Sequence, residues 1–330
     1  GAFCIGTNQI DLAVAATKGV AVFNAPYSNT RSVVELTLGE IIMLSRQTFT
    51  KSQKLHKGEW DKSAEGSHEV RGKRLGIIGY GNIGSQLSVL AEMMGMEVYF
   101  YDIVDKLALG NAQKCGSLKE LLKLADIVTV HVDGRKANTN FIGDPEFKLM
   151  KGNVIFLNAS RGFIVDLEAL TKHIISGHIR GAAIDVFPYE PKNNKEAFIS
   201  PLQNLPNVIL TPHVGGSTLE AQKGIAEFVS RKLMEFVDIG STALSVNMPN
   251  IQLPPVQTSH RCIHIHENIP GMLAKINDVM AAHKINIEEQ YLKTNENVGY
   301  VITDINKNYD PKVIEVLKKI PGTIKFRVLY

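Results

Sequence analysis

The sequence lacks the features that mark membrane, secreted and disulfide-stabilised proteins. Only three of its 330 residues are cysteine (Cys4, Cys115 and Cys262), and they lie far apart, without the spacing of a metal site. No apolar run reaches the roughly 18 residues of a membrane-spanning helix, and no signal peptide is visible. We therefore expect a reducing, cytoplasmic setting, with no membrane partner and no bound metal.

A concentration of charge of one sign is absent as well. The formal net charge is +3, and the basic residues are dispersed rather than gathered in the stripe that a nucleic-acid partner requires. Hydrophobic residues make up 44% of the chain and charged residues 21%, which is ordinary for a globular protein. We therefore expect two or three domains at this length and no nucleic-acid partner.

The opening segment, GAFCIGTNQIDL, resembles the middle of an α/β unit. We predict a short strand, a turn at Gly6-Thr7-Asn8, and a helix over IDLAVAATKG that ends at Gly19. A second strand is predicted in VAVFNAP. Because this opening has neither a methionine nor targeting character, we expect that a further segment precedes it.

Strand and helix patterns then alternate as far as residue 215. A helix is predicted over NTRSVVELTLGEIIMLSRQ, with Asn29 or Thr30 as its N-cap. The predicted strands are RLGIIG, EVYFYD, ADIVTVHV, NVIFLNAS, GAAIDVF and NVILTPHV, and shorter helices such as LKELLKLA and DLEALTKHIISG lie between them. This alternation is typical of a parallel sheet with crossover helices, so we predict an α/β fold with a Rossmann-type, doubly wound domain.

The composition changes after residue 240. The segment NMPNIQLPPVQTS carries three prolines and little periodicity, which is typical of a linker. Beyond it the patterns follow the order β-α-β-β-α-β, which predicts a compact ferredoxin-like domain.

The segment GIIGYGNIGSQL contains the most specific motif of the chain. Gly79, Gly81 and Gly84 fit G-x-G-x-x-G between a predicted strand and a predicted helix. In dinucleotide-binding proteins these glycines allow a tight turn, close approach of a pyrophosphate, and helix packing on the strand. Asp102 ends the next strand, about 20 residues on, where a ribose-binding acid is expected. An aspartate there repels a 2′-phosphate, so the motif favours NAD over NADP.

Four polar residues follow later strands of the same predicted sheet. Arg161 follows NVIFLNAS, Asp185 and Glu190 lie in AAIDVFPYEP, and His213 follows NVILTPHV. Ligands of open α/β sheets bind at the carboxyl ends of the strands. A histidine tuned by a carboxylate suits proton transfer, and an arginine suits a substrate carboxylate. Taken singly, each could be a surface charge, a helix cap or a strand-end residue; together they predict hydride transfer between a hydroxy acid and NAD.

These segments resemble a known family over essentially the whole chain. GIIGYGNIG, NASRGFIVD, AAIDVFPYEP and LTPHVGGST are similar to the D-2-hydroxyacid dehydrogenases, and IHIHENIPGML with GYVITDI is similar to an ACT regulatory domain. In that family the arginine of the NASRG segment binds substrate, the glutamate pairs with the catalytic histidine, and the histidine is the proton donor or acceptor. The resemblance therefore implies that Arg161, Glu190 and His213 are the catalytic residues.

The resemblance also implies a set of cofactor contacts. Asn82 and Ile83 belong to the pyrophosphate loop, Asp102 faces the adenosine ribose, and Asp185 faces the nicotinamide carboxamide. The full implied set is Gly79, Gly81, Asn82, Ile83, Gly84, Asp102, Ala159, Ser160, Arg161, Asp185, His213, Val214, Gly215 and Gly216. Trp60 and Lys62 are implied to reach a neighbouring subunit.

The combination with the tail points to the branch of the family that oxidises 3-phospho-D-glycerate to 3-phosphohydroxypyruvate with NAD, the first step of L-serine synthesis. In that branch His266, Asn268 and Asn286 would bind L-serine between two tails of a homo-oligomer, expected to be a tetramer. Two alternatives remain open: a dehydrogenase of another D-2-hydroxyacid, such as glycerate, lactate or 2-hydroxyglutarate, and a nucleotide-sensing binding protein of the corepressor type.

We predict four segments. Residues 1–28 form part of a flavodoxin-like substrate domain, 29–215 the NAD-binding domain, 216–257 a return segment and linker, and 258–330 the ACT domain. Family members carry further N-terminal residues that build most of the substrate domain and bind the phosphate. The chain as written is therefore expected to bind NAD better than it turns over substrate.

Overall fold

The computed structural model describes residues 1–7, 9–255 and 259–329. Asn8 of the predicted turn and the predicted boundary between residues 257 and 258 lie outside the described residues. The chain divides into two compact units. We call Asn29–Ala221 the central unit and the pair of segments Gly1–Ser28 and Gln222–Tyr330 the split unit.

The central unit is built on a seven-stranded parallel sheet, which confirms the predicted α/β class. Its strands are β1 (Arg74–Ile78), β2 (Glu97–Tyr101), β3 (Gln113–Lys114), β4 (Ile127–Val130), β5 (Val154–Asn158), β6 (Ile179–Ile184) and β7 (Val208–Leu210). They lie in the order β3-β2-β1-β4-β5-β6-β7. The order reverses between β1 and β4, which is the switch point where doubly wound sheets bind ligands.

Six α-helices lie between the first residue of this unit and Leu219, where the next helix begins. They are α2 (Thr30–Arg46), α3 (Thr48–His56), α4 (Asn82–Met93), α5 (Leu118–Leu124), α6 (Asp144–Leu149) and α7 (Leu167–Ile175). Two hydrophobic clusters form the core, one around Phe147 and Phe156 and the other around Leu44 and Phe100. Since helices cover the sheet, β4 and β5 are buried along their whole length, as parallel strands require.

The split unit contains a four-stranded antiparallel sheet. After α1 (Leu12–Thr17) and α8 (Leu219–Ile239) come β8 (His260–Glu267), α9 (Met272–Ala282), β9 (Ile287–Thr294), β10 (Val298–Ile305), α10 (Lys312–Lys318) and β11 (Thr323–Leu329). The order β11-β8-β10-β9 confirms the predicted β-α-β-β-α-β arrangement. We call β8 to β11 the tail sheet. Apolar residues of α9 and α10, including Ile276 and Leu317, pack on its inner face.

Residues from three distant parts of the chain pack together within the split unit. Ala16, Met248 and Ile251 join the buried Ile263 and Tyr300 of the tail sheet in one hydrophobic cluster. A side chain of the linker segment crosses the same interface, since Asn247 Oδ1 accepts from Val22 N at 2.8 Å. The opening segment is therefore held by residues more than 200 positions further on.

The structure differs from the sequence-based prediction in two places. VAVFNAP forms only an isolated bridge, Phe23 to Ser245, and the opening GAFCI forms no strand. A strand needs a neighbouring strand to satisfy its N–H and C=O groups, and Phe23 meets only a loop. The 21-residue helix α8 lies within residues 216–257, for which we predicted a return segment and linker but no helix. Among the described residues, no helix is both long and apolar enough to cross a membrane.

Candidate active site

The glycine-rich turn after β1 leaves room for a ligand. Gly79 has φ +93°, and a Cβ there would lie 2.6 Å from His131 O, so only glycine fits. A Cβ on Gly84 would lie 2.3 Å from Gly79 O, whereas nothing lies within 4 Å of the Cβ position of Gly81. The glycines at the first and third positions thus serve packing, and the second faces open space, as approach of a pyrophosphate requires.

The helix that follows this turn offers free donors to an anion. α4 begins at Asn82, its N-cap is Gly81, and no side chain caps it. The first N–H groups of a helix have no intrahelical partner, and together with the helix dipole they attract phosphate. Asn82 and Ile83 lie in this first turn, where the sequence predicts the pyrophosphate loop.

Asp102 lies directly beside the same turn. Its Oδ2 accepts from Tyr80 N at 2.8 Å, and its Oδ1 accepts from Val104 N at 2.9 Å. Tyr80 is itself held by stacking on Phe100, with ring centroids 3.7 Å apart. The two backbone amides orient the carboxylate and leave it further acceptor capacity for ribose hydroxyls. These residues therefore fit a dinucleotide with an unphosphorylated ribose.

Asp185 organises the loop that carries the predicted catalytic histidine. The carboxyl group is 2% exposed and accepts from Thr211 Oγ1 at 2.6 Å, Val214 N at 2.8 Å and Gly215 N at 2.8 Å. The Asp185 carbonyl oxygen accepts from His213 N at 2.8 Å. Gly216 follows, where a Cβ would lie 2.1 Å from Asn29 Nδ2. The structure thus brings the predicted residues of this loop together around one buried aspartate.

His213 and Glu190 form a pair at the end of β7. His213 Nδ1 lies 2.8 Å from Glu190 Oε2, and the other carboxylate oxygen of Glu190 accepts from Phe187 N at 3.0 Å. His213 has φ +55°, a left-handed conformation that is uncommon for residues other than glycine and that recurs at functional sites. About half of its side chain is exposed, beside a cavity of about 720 Å³ that Thr211 and Pro212 also line.

Arg161 lies in a turn that a buried asparagine holds. Asn158 Oδ1 accepts from Ser160 N at 3.1 Å and from Ser160 Oγ at 2.7 Å, and Asn158 Nδ2 donates to Arg161 O at 3.1 Å. Arg161 Nη1 donates to Ser160 O at 2.7 Å, and in the described part of the chain no carboxylate pairs with the guanidinium. The neighbouring Gly162 packs on the backbone of Phe187, which links this turn to Glu190. Ala159 lies in the same turn.

Two buried polar residues near the site were not predicted from the sequence. Asn158 is a polar residue at the end of the apolar strand β5 and is buried. A polar residue at the carboxyl end of an apolar strand is visible in the sequence and could have been predicted to support the site. Glu40 gave no such signal, because the helical pattern of α2 does not show which polar residue turns inward. Glu40 is 1% exposed, and its Oε1 has no hydrogen-bond partner. Burial, reinforced by the charge of Asp185, raises the pKa of Glu40 to about 8.

The predicted effector residues lie at two ends of the tail sheet. His266 is 2% exposed; its Nδ1 lies 2.6 Å from Glu267 O, and its buried Nε2 has no partner. Asn268 Nδ2 donates to Asn295 O at 2.8 Å. His266 pairs with Gly299, which also pairs with the last residue of β9, whereas Asn286 precedes the first residue of β9. One chain therefore does not bring Asn286 next to His266.

The residues predicted to reach a neighbouring subunit are exposed. Trp60 is 79% exposed and Lys62 is exposed as well, both in the segment between α3 and β1. Exposure of a large indole agrees with burial in a partner, but their role stays a prediction.

Comparison with known proteins gives the same picture as this geometry. Residues 38–215 match the model of the D-isomer specific 2-hydroxyacid dehydrogenase NAD-binding domain, and residues 263–325 match an ACT domain like that of the AHAS small subunit. The chain is 52% identical over its whole length to D-3-phosphoglycerate dehydrogenase of Haemophilus influenzae, covering 80% of it, and 51% identical to that of Escherichia coli K12, covering 81%.

Solved structures agree in fold. A D-lactate dehydrogenase from Aquifex aeolicus, complexed with NAD and lactic acid, has a TM-score of 0.64 and 28% identity, covering 71% of this chain and 74% of its own. An NAD-dependent formate dehydrogenase from Staphylococcus aureus, in complex with NAD, has a TM-score of 0.65 and 28% identity, covering 72% and 71%.

Proposed function

The chain belongs to the D-isomer specific 2-hydroxyacid dehydrogenase family, and on that premise we propose that it oxidises 3-phospho-D-glycerate to 3-phosphohydroxypyruvate. It is an NAD-dependent dehydrogenase. The substrate follows from relatives of about half identity that carry the name D-3-phosphoglycerate dehydrogenase and match the chain from end to end. The product is the keto acid from which L-serine is made.

His213 acts as the general base in this proposal. Because Nδ1 contacts Glu190 Oε2, the other ring nitrogen, Nε2, is left to take the proton of the substrate hydroxyl. The ring then carries a positive charge, which the Glu190 carboxylate stabilises. Phe187 N holds the second carboxylate oxygen, so the pair keeps its orientation. NAD, when bound along the glycine-rich turn, supplies the acceptor for the hydride that leaves the same carbon.

Arg161 binds the substrate carboxylate. Its guanidinium has no carboxylate partner within the described residues, so its planar set of donors is available for a two-pronged contact. Asn158 fixes the backbone of this turn by its hydrogen bonds to Arg161 O and Ser160 Oγ. The carboxylate is thereby held while the hydroxyl faces His213.

The contact of 2.8 Å between His213 and Glu190 carries the proposed proton transfer, and the similarity to the D-3-phosphoglycerate dehydrogenases carries the choice of substrate. The test is NADH formation by the full-length protein from 3-phosphoglycerate, measured beside D-lactate, D-glycerate and D-2-hydroxyglutarate. A clear preference for 3-phosphoglycerate supports it. Preference for another acid would assign the chain to a different branch, and no turnover of any of them would favour the corepressor-like alternative.

We further propose that residues 258–330 form a regulatory domain that binds L-serine between two tails. Glu267 O can only accept a hydrogen bond, so in the neutral ring of His266 the proton lies on Nδ1 and the buried Nε2 is an acceptor. A serine ammonium or hydroxyl group supplies the missing donor. Asn268 lies two residues further along the chain than His266.

The separation of Asn286 from His266 supports a site shared by two chains. Asn286 lies eight residues before Thr294, which is level with His266, so the two are separated by roughly 25 Å at the rise of a strand. β9 is an edge strand with mostly exposed residues. If two β9 strands pair in antiparallel fashion, Asn286 of one chain comes to the end of the sheet that carries His266 of the other. This pairing implies a homo-oligomer, which we propose is a tetramer.

We also propose that the protein works in a reducing compartment, the cytoplasm. Its three cysteines are free thiols. Burial raises the pKa of Cys115 to about 11 and that of Cys262 to about 12, so both remain protonated and unreactive.

A further inference from the structure

A second cavity lies at the end of the seven-stranded sheet opposite to the glycine-rich turn. It has a volume of about 830 Å³. Residues at the amino ends of four strands line it, among them Lys73 before β1, Asp126 before β4, Asn153 before β5 and Arg180 in β6. Strands of five residues separate this end from the cofactor turn by roughly 15 Å. The cavity is therefore a separate place from the site described above.

The far wall of the cavity is a well-anchored segment, residues 61–68. His68 N donates to Ser45 O at 2.8 Å, and Ser67 Oγ donates to Arg46 O at 3.1 Å, so the segment is tied to the end of α2. Gly66 has φ +68°, and a Cβ there would lie 2.2 Å from Gln47 Nε2. These two hydrogen bonds and the packing of Gly66 on Gln47 give this side of the cavity a defined shape.

The cations that line the cavity outnumber their carboxylate partners. Lys151 pairs with Asp126 at 2.8 Å, and Asp61 pairs with Lys54 at 2.9 Å. Lys51, Lys73 and Arg180 have no carboxylate within ion-pair distance among the residues that the structure describes. Of these three, Lys51 donates to Ser63 O and Arg180 Nη1 donates to Gly66 O at 3.2 Å. Glu65 lines the rim and is exposed.

The pKa values of two groups that line the cavity, His68 and Arg180, are lowered. The charge of Arg180, followed by burial and the charge of Lys73, lowers the pKa of His68. Burial lowers the pKa of the Arg180 guanidinium, and the charge of Asp126 only partly opposes this effect, which means that the charge of Arg180 is costly where it lies. A bound anion would offset that cost.

We propose that this cavity binds a small molecule through a phosphate group held by Lys51, Lys73 and Arg180. The arginine supplies a planar fork and the lysines supply point charges, the combination that proteins use for phosphate. The volume exceeds what inorganic phosphate needs and leaves space for an organic moiety beside Gln47, Asn153 and Ser63. This site is independent of the proposed dehydrogenase activity.

His68 provides the test, because its ring reports the local charge without belonging to the catalytic machinery. Its pKa is followed by NMR in the full-length protein, first without phosphate and then with millimolar inorganic phosphate. We expect a pKa below the ordinary value that rises when phosphate binds. Potassium chloride of matched ionic strength controls for screening. Glycerol 3-phosphate then separates an organic phosphate ligand, which should bind more tightly, from phosphate alone.

Arg180→Gln should raise the pKa of His68 in the absence of phosphate and weaken phosphate binding at least about tenfold. Lys73→Gln, at a half-buried position, gives a second variant should the first fail to fold. Lys119→Gln removes an exposed charge at the start of α5 and should change neither quantity. The proposal is overturned by an ordinary pKa of His68 in phosphate-free protein, by equal responses to chloride and phosphate, or by unchanged phosphate binding in Arg180→Gln.

Discussion

The loops after the parallel strands and the end of β8 in the tail both carry a histidine beside buried polar groups, but they differ in how those groups are satisfied. Asp185 accepts three hydrogen bonds and Asn158 makes three, so the loops that carry Arg161 and His213 are held without any ligand. In the tail, His266 is buried, and one of its ring nitrogens has no partner.

The difference separates a prearranged site from the proposed effector site, in which a ligand would supply a missing hydrogen-bond partner. A buried polar group without a partner costs free energy, and a ligand that supplies the partner recovers it. Because hydrogen bonds already hold the loops that carry Arg161 and His213, these loops do not lose conformational entropy when a ligand binds. In the proposed tail site, binding would instead satisfy a buried ring nitrogen of His266. Elsewhere in the central unit six buried side-chain atoms have no partner among the described residues, and Glu40 Oε1 is one of them.

The largest effect should come from His213→Ala, which removes the reacting half of the prearranged pair. Turnover should fall by about 10²–10⁴-fold, the usual contribution of a general acid or base, while NAD affinity changes little. Steady-state kinetics and a fluorescence titration of NADH measure the two quantities. Glu190→Gln should cost less and alter the pH profile. His56→Ala, at an exposed position of α3, is the matched control; near-normal turnover in His213→Ala would contradict the assignment.

Glu40→Gln should remove the free-energy cost of burying an ionised carboxyl group at this position. In the unfolded chain Glu40 ionises near its ordinary pKa of 4.5, but in the folded protein only near 8. Between these pH values the folded state holds the extra proton, so the free energy of unfolding falls as pH rises and then levels off. The variant should be more stable than the parent above pH 8, by up to about 4 kcal/mol. Urea unfolding at several pH values measures this, and parallel pH curves for both proteins would rule it out.

Asn268→Ala tests the tail half of the comparison. Inhibition by L-serine should disappear, a loss of coupling of about 1–3 kcal/mol, while turnover without serine stays almost unchanged. Isothermal calorimetry and inhibition curves on the full-length protein measure both. Asn308→Ala, in the loop before α10, is a matched surface control. If the parent protein itself binds no serine, the sensor is refuted and the dehydrogenase is not.

The smallest effect is expected at Asp102. Its carboxylate accepts hydrogen bonds from two backbone amides and can still accept from the ribose hydroxyls. Asp102→Ala should weaken NAD and raise the relative use of NADP, each by roughly tenfold. The ratio of kcat/KM for the two cofactors measures the change. Equal use of both cofactors by the unaltered protein would show that this carboxylate does not set the preference.

The sequence could predict those parts whose geometry is local. The spacing of Gly79, Gly81 and Gly84 follows from sterics in a single turn, and Asp102 lies where the next parallel strand must end. The positions of Glu40 and Asn286 could not be predicted in this way. Which face of α2 is buried at Glu40 depends on packing against β5 and β6, and the distance of Asn286 from His266 depends on the register of three strands.

The division of the split unit between two distant segments has a consequence for synthesis on the ribosome. Val22 N bonds to a side chain 225 positions later, so Gly1–Ser28 emerges long before its partners exist. At roughly 5–20 residues per second, the delay is on the order of 10 s or more. Meanwhile Asn29–Ala221 has all of its own strands and can fold first. The early segment thus acquires its contacts with Asn247 and Met248 only after the later chain has been made.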